Sequence, residues 1–133
     1  MSGFENPLQW KVGDTLPAHR VQLTERDPTV DPTPANPTPR RGIDLSNATS
    51  VTLVSSTRNR KRVVETPCTK DPDQTSVVDP DVGRGWISVA PNVALTERAA
   101  EMLGEFLIVW SGGGQQRVPN IGYVDVIVSE AFS

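Results

Sequence analysis

The sequence contains only one cysteine, Cys68, and only one histidine, His19. A single cysteine excludes an internal disulfide framework, and it indicates synthesis in a reducing cytosol. A structural zinc ion needs several cysteine or histidine ligands, and two such residues are too few. A fold held together by disulfides or by zinc is therefore not expected.

The sequence also has no basic excess and no long apolar segment. Its formal net charge is −3 and its pI is about 5.1, whereas generic binding to nucleic acid relies on basic charge. No apolar run approaches the roughly 20 residues that cross a bilayer. The N-terminal residues 1–6 show neither the basic nor the apolar region of a signal peptide. Neither nucleic acid nor a membrane is predicted as a partner.

Proline and glycine, in contrast, are plentiful. Twelve prolines and ten glycines in 133 residues favour short elements joined by many turns, and the length fits one domain. A stretch over 96–103, with Thr96 as its cap and Gly104 as its stop, predicts the only helix. Alternating apolar residues predict about eight short strands, which is typical of an all-β antiparallel sandwich. The predicted strands lie within residues 18–24, 50–55, 61–65, 75–79, 85–89, 106–110, 115–118 and 123–128.

The sandwich is expected to span residues 13–128, with an N-terminal arm over 1–12 and a C-terminal tail over 129–133. Segment 27–42 differs from the rest because it holds five prolines and a single large aliphatic residue. Proline fixes φ and removes a hydrogen-bond donor, so this segment should be extended and exposed. It is either a surface loop between two strands or an arm that docks on a neighbouring subunit.

Residues with reactive side chains are present, but no catalytic or metal-binding pattern surrounds them. His19 lies on a predicted strand without a flanking nucleophile motif, and Cys68 lies in a predicted turn without a partner base. The acidic pairs Asp71–Asp73 and Asp79–Asp81 could offer oxygen ligands to calcium, yet Asp-Pro is also a common turn opener. No catalytic, cofactor-binding or metal-binding residue is therefore assigned.

A basic cluster over 58–62, with Arg40 and Arg41 nearby, is interpreted as a charged hairpin tip or as a docking site for an acidic neighbour. The three glycines over 112–114 predict a hairpin turn, because no lysine, serine or threonine follows them as in a phosphate loop.

Three aromatic residues, Trp86, Trp110 and Tyr123, fall on adjacent predicted strands. Core packing is the first interpretation of them, and an aromatic ligand-binding surface is the alternative. Alternation over 106–110 puts Phe106, Ile108 and Trp110 on one face, which favours the core.

Four patterns in order resemble the immunoglobulin-like N-terminal domain of the baseplate upper proteins of tailed bacteriophages. Together they cover residues 13–128, almost the whole chain. In sequence they are Gly13-Asp14-Thr15-Leu16-Pro17 continuing to Thr24; Asp44-Leu45-Ser46-Asn47-Ala48 continuing to Leu53; Trp86 followed by Pro91; and Gly104-Glu105-Phe106 through Trp110, with Gly112, Pro119, Gly122-Tyr123, Val126 and Val128.

The resemblance implies an immunoglobulin-like sandwich in a virion structural protein that is present in several copies. In that family the matching residues are turn and core positions, so no catalytic role comes with them. Two features depart from the family: the proline-rich stretch 27–42, and an end at Ser133 without a fibre or receptor-binding region. A chain of this form is not expected to bridge to a receptor-binding protein in the family's usual way.

The expectation is thus a non-enzymatic minor tail or baseplate component of a tailed phage, made in the bacterial cytoplasm and acting in the virion. A capsid decoration protein is the alternative, and a carbohydrate-binding attachment module is a further one. Its partners would be other virion proteins and further copies of itself, with no cofactor. The residues expected at these contacts are Phe4, Trp10, Pro32, Pro34, Pro37, Arg40, Arg41 and Phe132.

Overall fold

A computed structural model of the protein describes residues 7–74, 83–119 and 123–131, and within these ranges it contains ten strands and one short helix. This confirms the prediction of an all-β fold. In chain order the elements are β1 (Leu8–Lys11), β2 (His19–Gln22), β3 (Thr24–Arg26), β4 (Arg40–Gly42), β5 (Ala48–Ser56), β6 (Val63–Lys70), β7 (Trp86–Val89), α1 (Val93–Thr96), β8 (Ala100–Trp110), β9 (Gln115–Val118) and β10 (Val124–Ser129).

The main sheet has the strand order β1-β10-β8-β5-β6-β7-β2, and β9 lies beside the second half of β8. The sheet is mixed, because β1 runs parallel to β10 while the other pairs are antiparallel. Its two edges nearly meet: His19 Nε2 on β2 lies 2.9 Å from the carbonyl oxygen of Gln9 on β1. The sheet is therefore nearly closed into a barrel. The strands β3 and β4 form a small second sheet.

The core lies inside this curved sheet and is built by strict alternation. On β8, Met102, Gly104, Phe106 and Ile108 are buried, while the residues that alternate with them are less so. Val51 and Leu53 on β5 are buried on a common face, as predicted. Period-two burial of this kind is what a strand with one covered face requires. Burial of these side chains is the main stabilising contribution to the fold.

The prediction of a helix over residues 96–103 is wrong. The helix α1 spans Val93–Thr96 and is capped by Asn92, whose side chain accepts a hydrogen bond from Leu95 N. Residues 100–110 instead form β8, and Gly104 lies inside this strand. A Cβ at Gly104 would lie 3.0 Å from Leu53 Cδ1 and 3.0 Å from a Val126 methyl group. The lack of a side chain at Gly104 thus allows Leu53 and Val126 to pack closely against β8, and Gly104 does not end a helix.

The prediction of an N-terminal arm over residues 1–12 is also wrong for Leu8–Lys11, which form β1. Strand β1 pairs with β10 over four residues, and Trp10 is only 3% exposed. The Trp10 indole Nε1 donates to the Pro17 carbonyl at 2.9 Å, and its ring lies 4.8 Å from the His19 ring. Trp10 is a core residue and not an exposed contact residue.

The predicted hairpin turns are confirmed. Between β5 and β6, Thr57 N donates to Arg62 O and Arg60 N donates to Thr57 O. Between β8 and β9, Trp110 N donates to Gly114 O across the three glycines, and Gly113 has a φ of 90°. The strand predicted over 75–79 lies outside the described residues. In the part of the chain that is described, no helix is long and apolar enough to span a bilayer.

Candidate interaction surfaces

The proline-rich segment forms a folded-back loop on a two-stranded base. Strands β3 and β4 pair antiparallel, and Asp27 N extends their ladder by donating to Pro39 O at 2.8 Å. At the tip, Thr33 and Asn36 exchange backbone hydrogen bonds of 3.0 and 3.1 Å. Residues 27–39 are named the proline loop here. The segment is thus a surface loop between two strands, which was the first of the two interpretations. Its chain folds back at the tip and is not extended throughout.

The exposure predicted for the proline loop is confirmed at the three prolines assigned to contacts, Pro32, Pro34 and Pro37. Val30 near the tip is 48% exposed. Asp27 fixes the start of the loop: the Thr29 hydroxyl and backbone N–H both donate to its carboxylate, and these hydrogen bonds lower its pKa. The loop therefore presents Pro32, Pro34, Pro37 and Val30 from a hydrogen-bonded frame, whereas Pro39 at its end is buried.

The two arginines assigned to contacts stabilise the base of the loop. Arg40 donates from Nε to Thr24 Oγ1 at 3.1 Å and from a terminal nitrogen to Thr24 O at 2.7 Å. Arg41 forms ion pairs with Glu25 at 3.6 Å and with Asp27 at 3.8 Å. Both guanidinium groups are thus engaged by β3 and the start of the loop. They connect the two legs of the base and do not extend the basic cluster over 58–62.

The base of the loop is attached to the main sheet by a close backbone crossing. Leu23 N donates to Gly85 O at 2.8 Å, and Ile43 N donates to Leu23 O at 2.9 Å. Gly42 and Gly85 lie so close that a Cβ on Gly85 would be 3.0 Å from the Gly42 Cα. The buried Gln74 side chain accepts from Gly85 N at 2.9 Å and from Leu45 N at 3.1 Å. These bonds hold the loop in one position relative to the sheet.

A groove lies at the end of the main sheet near the β5–β6 hairpin. It has a volume of about 300 Å³, continues into a neighbouring depression of about 200 Å³, and is named the end groove here. Two of its apolar residues are strongly exposed, Val63 at 58% and Tyr123 at 47%. The residues that define it are Val54, Arg58, Arg60, Val63, Leu103 and Tyr123.

Charges of both signs surround the end groove. Arg58 and Arg60 are exposed on the hairpin, and the described residues form no ion pair with either. Glu105 on the opposite rim is already paired with Arg117 at 3.1 Å. The depression next to it adds two carboxylates, Glu101 and Asp125. Sequence reasoning missed this groove, although the outward positions of Val54 and Val63 follow from the alternation of β5 and β6.

The basic cluster predicted over 58–62 is divided. The side chain of Arg62 is only 9% exposed and turns toward α1. It donates to the carbonyl oxygens of Ala94 at 2.8 Å and Leu95 at 3.0 Å, where a cation complements the helix C-terminus. Arg58 and Arg60 remain at the hairpin tip, as the charged-tip interpretation predicts.

The environment of the Cys68 thiol does not activate it. Cys68 lies on β6 and not in a turn, and burial raises the pKa of its thiol to about 12. Lys70, two residues further along β6, donates from Nζ to the carbonyls of Leu45, Ser46 and Ala48. Burial without an activating cation makes a thiol unreactive.

Of the acidic residues considered as calcium ligands, Asp71 is engaged by protein groups instead. Asp71 forms a bidentate pair with Arg20 at 2.5 and 2.6 Å and accepts from Gly83 N at 3.0 Å. The hydrogen bond from Arg20 lowers the pKa of Asp71. Residues 79–81 lie outside the described residues. Among those described, no group of three or more histidine, cysteine, aspartate or glutamate side chains could hold a metal ion.

The three aromatic residues do not share one environment. Trp110 is partly buried against the core, which agrees with the first interpretation of it. Trp86 lies half-buried on the outer face of β7, with the Arg20 guanidinium 5.5 Å from its ring centre. Tyr123 is exposed and lines the end groove. The contact residues Phe4 and Phe132 lie outside the described residues.

No protein-family model matches the chain, and searches of curated proteins and of solved structures likewise found no match.

Proposed function

We propose that this protein is a non-enzymatic structural component of a tailed-bacteriophage virion, with the tail tip or baseplate as its first location. The observation that carries the proposal is the proline loop, which projects exposed prolines from a base fixed by hydrogen bonds and ion pairs. Such a segment loses little conformational entropy when it docks on a neighbour. The motif resemblance over residues 13–128 supplies the phage setting.

The immunoglobulin-like assignment belongs to this proposal and has support in the strand pairing. In immunoglobulin domains, strands B and E are neighbours in one sheet and strands C, F and G are neighbours in the other. Here β2 pairs with β7, and β5, β8 and β10 are consecutive in the sheet. Strand β6 pairs with β5 on one side and β7 on the other, so it joins the two groups. These pairings fit the order B, C, E, F and G along the chain.

The mechanism would be assembly through surfaces on a rigid domain. The domain offers the proline loop and the end groove, and both carry exposed apolar side chains beside charges. Apolar anchors at the centre of a contact supply most of its binding energy, while charges at the rim select the partner. A capsid decoration protein would use the same surfaces, so head decoration is the alternative location.

Carbohydrate binding has one observation in its favour, since Trp86 is on the outside of the sheet. A sugar-binding platform needs an open ring face, and the Arg20 guanidinium lies over this one. Asp71 and Ser88 hydrogen-bond that guanidinium and keep it in place. Assembly is therefore favoured over glycan binding.

The test is cryo-electron microscopy of intact particles, combined with cross-linking from the loop. Asn36→Cys introduces an exposed thiol at the tip of the loop, while the native Cys68 is partly buried and the raised pKa of its thiol makes it poorly reactive. We expect density for the domain at the tail, and cross-links from position 36 to a neighbouring subunit. Density on the head would select the decoration alternative. Absence of the chain from purified particles would contradict the proposal.

A further inference from the structure

We propose that the proline loop of one copy binds in the end groove of the next copy, so that the protein assembles head to tail. The inference deepens the proposed function, on which it rests by taking the loop as a contact segment. It names the partner of that loop as a second copy of the same chain. Three observations carry it: the positions of the two surfaces, their chemistry, and their asymmetry.

The loop and the groove lie at opposite ends of the main sheet. Strand β5 begins at Ala48, close to the loop base, because Gln74 binds Leu45 N and Gly85 N together. The strand ends at Ser56, which lines the groove. The eight residue steps of β5 span about 26 Å at roughly 3.3 Å each. A loop of 13 residues that folds back reaches about 23 Å at most. The loop therefore does not reach the groove of its own chain.

The chemistry of the two surfaces is complementary. The loop presents proline rings and Val30, and proline-rich segments dock in grooves that contain aromatic side chains. The groove offers Tyr123 and Val63 as its exposed apolar residues. Next to Val30, the exposed Asp31 supplies the negative charge that Arg58 and Arg60 on the groove rim would attract. Glu105 on the other rim is neutralised by Arg117.

The asymmetry of the contact determines the kind of assembly. Two unlike surfaces at opposite ends of one molecule make a heterologous contact, which closes into a ring when its rotation allows and otherwise extends as a filament. The contact is also directional, so an open assembly of any length keeps one free loop at one end and one free groove at the other. This distinguishes it from a two-fold dimer, in which both surfaces are used up at once.

The test uses two complementary variants in analytical ultracentrifugation. The groove variant carries Arg58→Glu and Tyr123→Ala, and the loop variant carries Val30→Ser and Asp31→Ser. Wild-type protein should form larger species as its concentration rises, whereas each variant alone should associate at least about tenfold more weakly. An equimolar mixture should give a 1:1 dimer that grows no further, because only one intact groove can meet one intact loop.

Two control variants separate this contact from general surface effects. Lys61→Glu reverses a charge on the same hairpin but outside the groove, and Val93→Ser removes an apolar side chain that is 73% exposed on α1. Both should associate as the wild type does. All variants change exposed side chains, and equal thermal unfolding midpoints will establish that they are folded.

A wild type that stays monomeric over the whole concentration range overturns the inference, and so does a mixture that gives no dimer. If position 36 nevertheless cross-links to a different virion protein, the proposed function stands without the self-assembly. Conversely, self-association of a chain that is absent from particles would support the inference and remove the proposed function.

Discussion

At Gly85 the backbone passes so close to its neighbours that a side chain has no room. Its φ is 82°, and an added Cβ would lie 2.4 Å from the Leu23 carbonyl oxygen. We expect Gly85→Ala to lower the free energy of unfolding by more than about 2 kcal/mol, through backbone strain and displacement of the crossing. Urea denaturation followed by tryptophan fluorescence measures this loss.

Gly113→Ala is the matched control for Gly85→Ala. Gly113 has a φ of 90°, but no atom lies within 4 Å of an added Cβ. Its cost should therefore be the backbone strain alone, about 1 kcal/mol. Equal losses for the two variants would contradict the packing explanation.

The ion pair between Asp71 and Arg20 makes stability depend on pH. The folded-state pKa of Asp71 lies below its ordinary value of 3.8, mainly because Arg20 donates to the carboxylate. The pair therefore stabilises the fold fully above the unfolded-state pKa, and this contribution is lost as the pH falls below about 4. Asp71→Asn should lower the free energy of unfolding by about 1–2 kcal/mol at neutral pH. As the pH falls, the variant should then lose less of its stability than the wild type does.

Denaturation curves at a series of pH values check this prediction. Arg20→Gln serves as its companion, because it removes the largest cause of the lowered pKa while leaving the carboxylate in place. Both variants should approach the wild-type stability as the pH falls. A difference between Asp71→Asn and wild type that stays constant down to pH 2 would show that the pair is not responsible.

At the scale of elements, β1 seals one edge of the main sheet through Trp10. The indole is 3% exposed and joins the core, and β1 covers the outer edge of β10. Trp10→Ala should lower the free energy of unfolding by about 3–5 kcal/mol, as expected for loss of a buried large aromatic side chain. Leu16→Ala, at a side chain that is 70% exposed, should change it by less than about 0.5 kcal/mol. Thermal or urea unfolding of both variants compares them, and similar stabilities would contradict a sealing role for β1.

The sequence predicts those elements whose own pattern is strong. Strict alternation identified the strands around Val51 and around Phe106, and glycine identified the turn over 112–114. The first half of β8 was missed because Ala100, Glu101, Met102 and Leu103 are good helix formers. Pairing of this segment with β10, and of Leu103 with Ser56 on β5, overrides that preference.

The surfaces were less predictable than the strands. The prolines predict the exposure of segment 27–42. The strands at its base are short and polar, so no alternation of apolar residues indicates them. Their pairing depends on Thr24 and Glu25 meeting Arg40 and Arg41, which only the folded chain brings together. The end groove likewise joins residues of β5, β6 and β8 with Tyr123, so no local pattern signals it.

At the scale of the whole molecule, the nearly closed sheet should open as one unit. Cys68 reports on this opening, because it is partly buried, and desolvation raises the pKa of its thiol to about 12 and slows its reaction in the folded state. We expect labelling of native protein with a thiol reagent at pH 8 to be very slow, and to accelerate with urea in parallel with global unfolding.

The matched control is the double variant Cys68→Ala with Thr69→Cys. Residue 69 is the exposed neighbour on the same strand, so its thiol should label at once without denaturant. Fast labelling of Cys68 in the native protein would instead reveal a local opening of β6. That outcome would contradict the single cooperative unit.

The way in which the proline loop joins the fold has a consequence for engineering. The loop leaves and re-enters the molecule at one point, where β3 and β4 are paired and Gly42 packs on Gly85. The entropy cost of closing a loop grows only slowly with its length. A foreign peptide grafted in place of residues 28–38 should thus be displayed from an unchanged scaffold, and changes in the sequence or length of this segment should leave the fold intact.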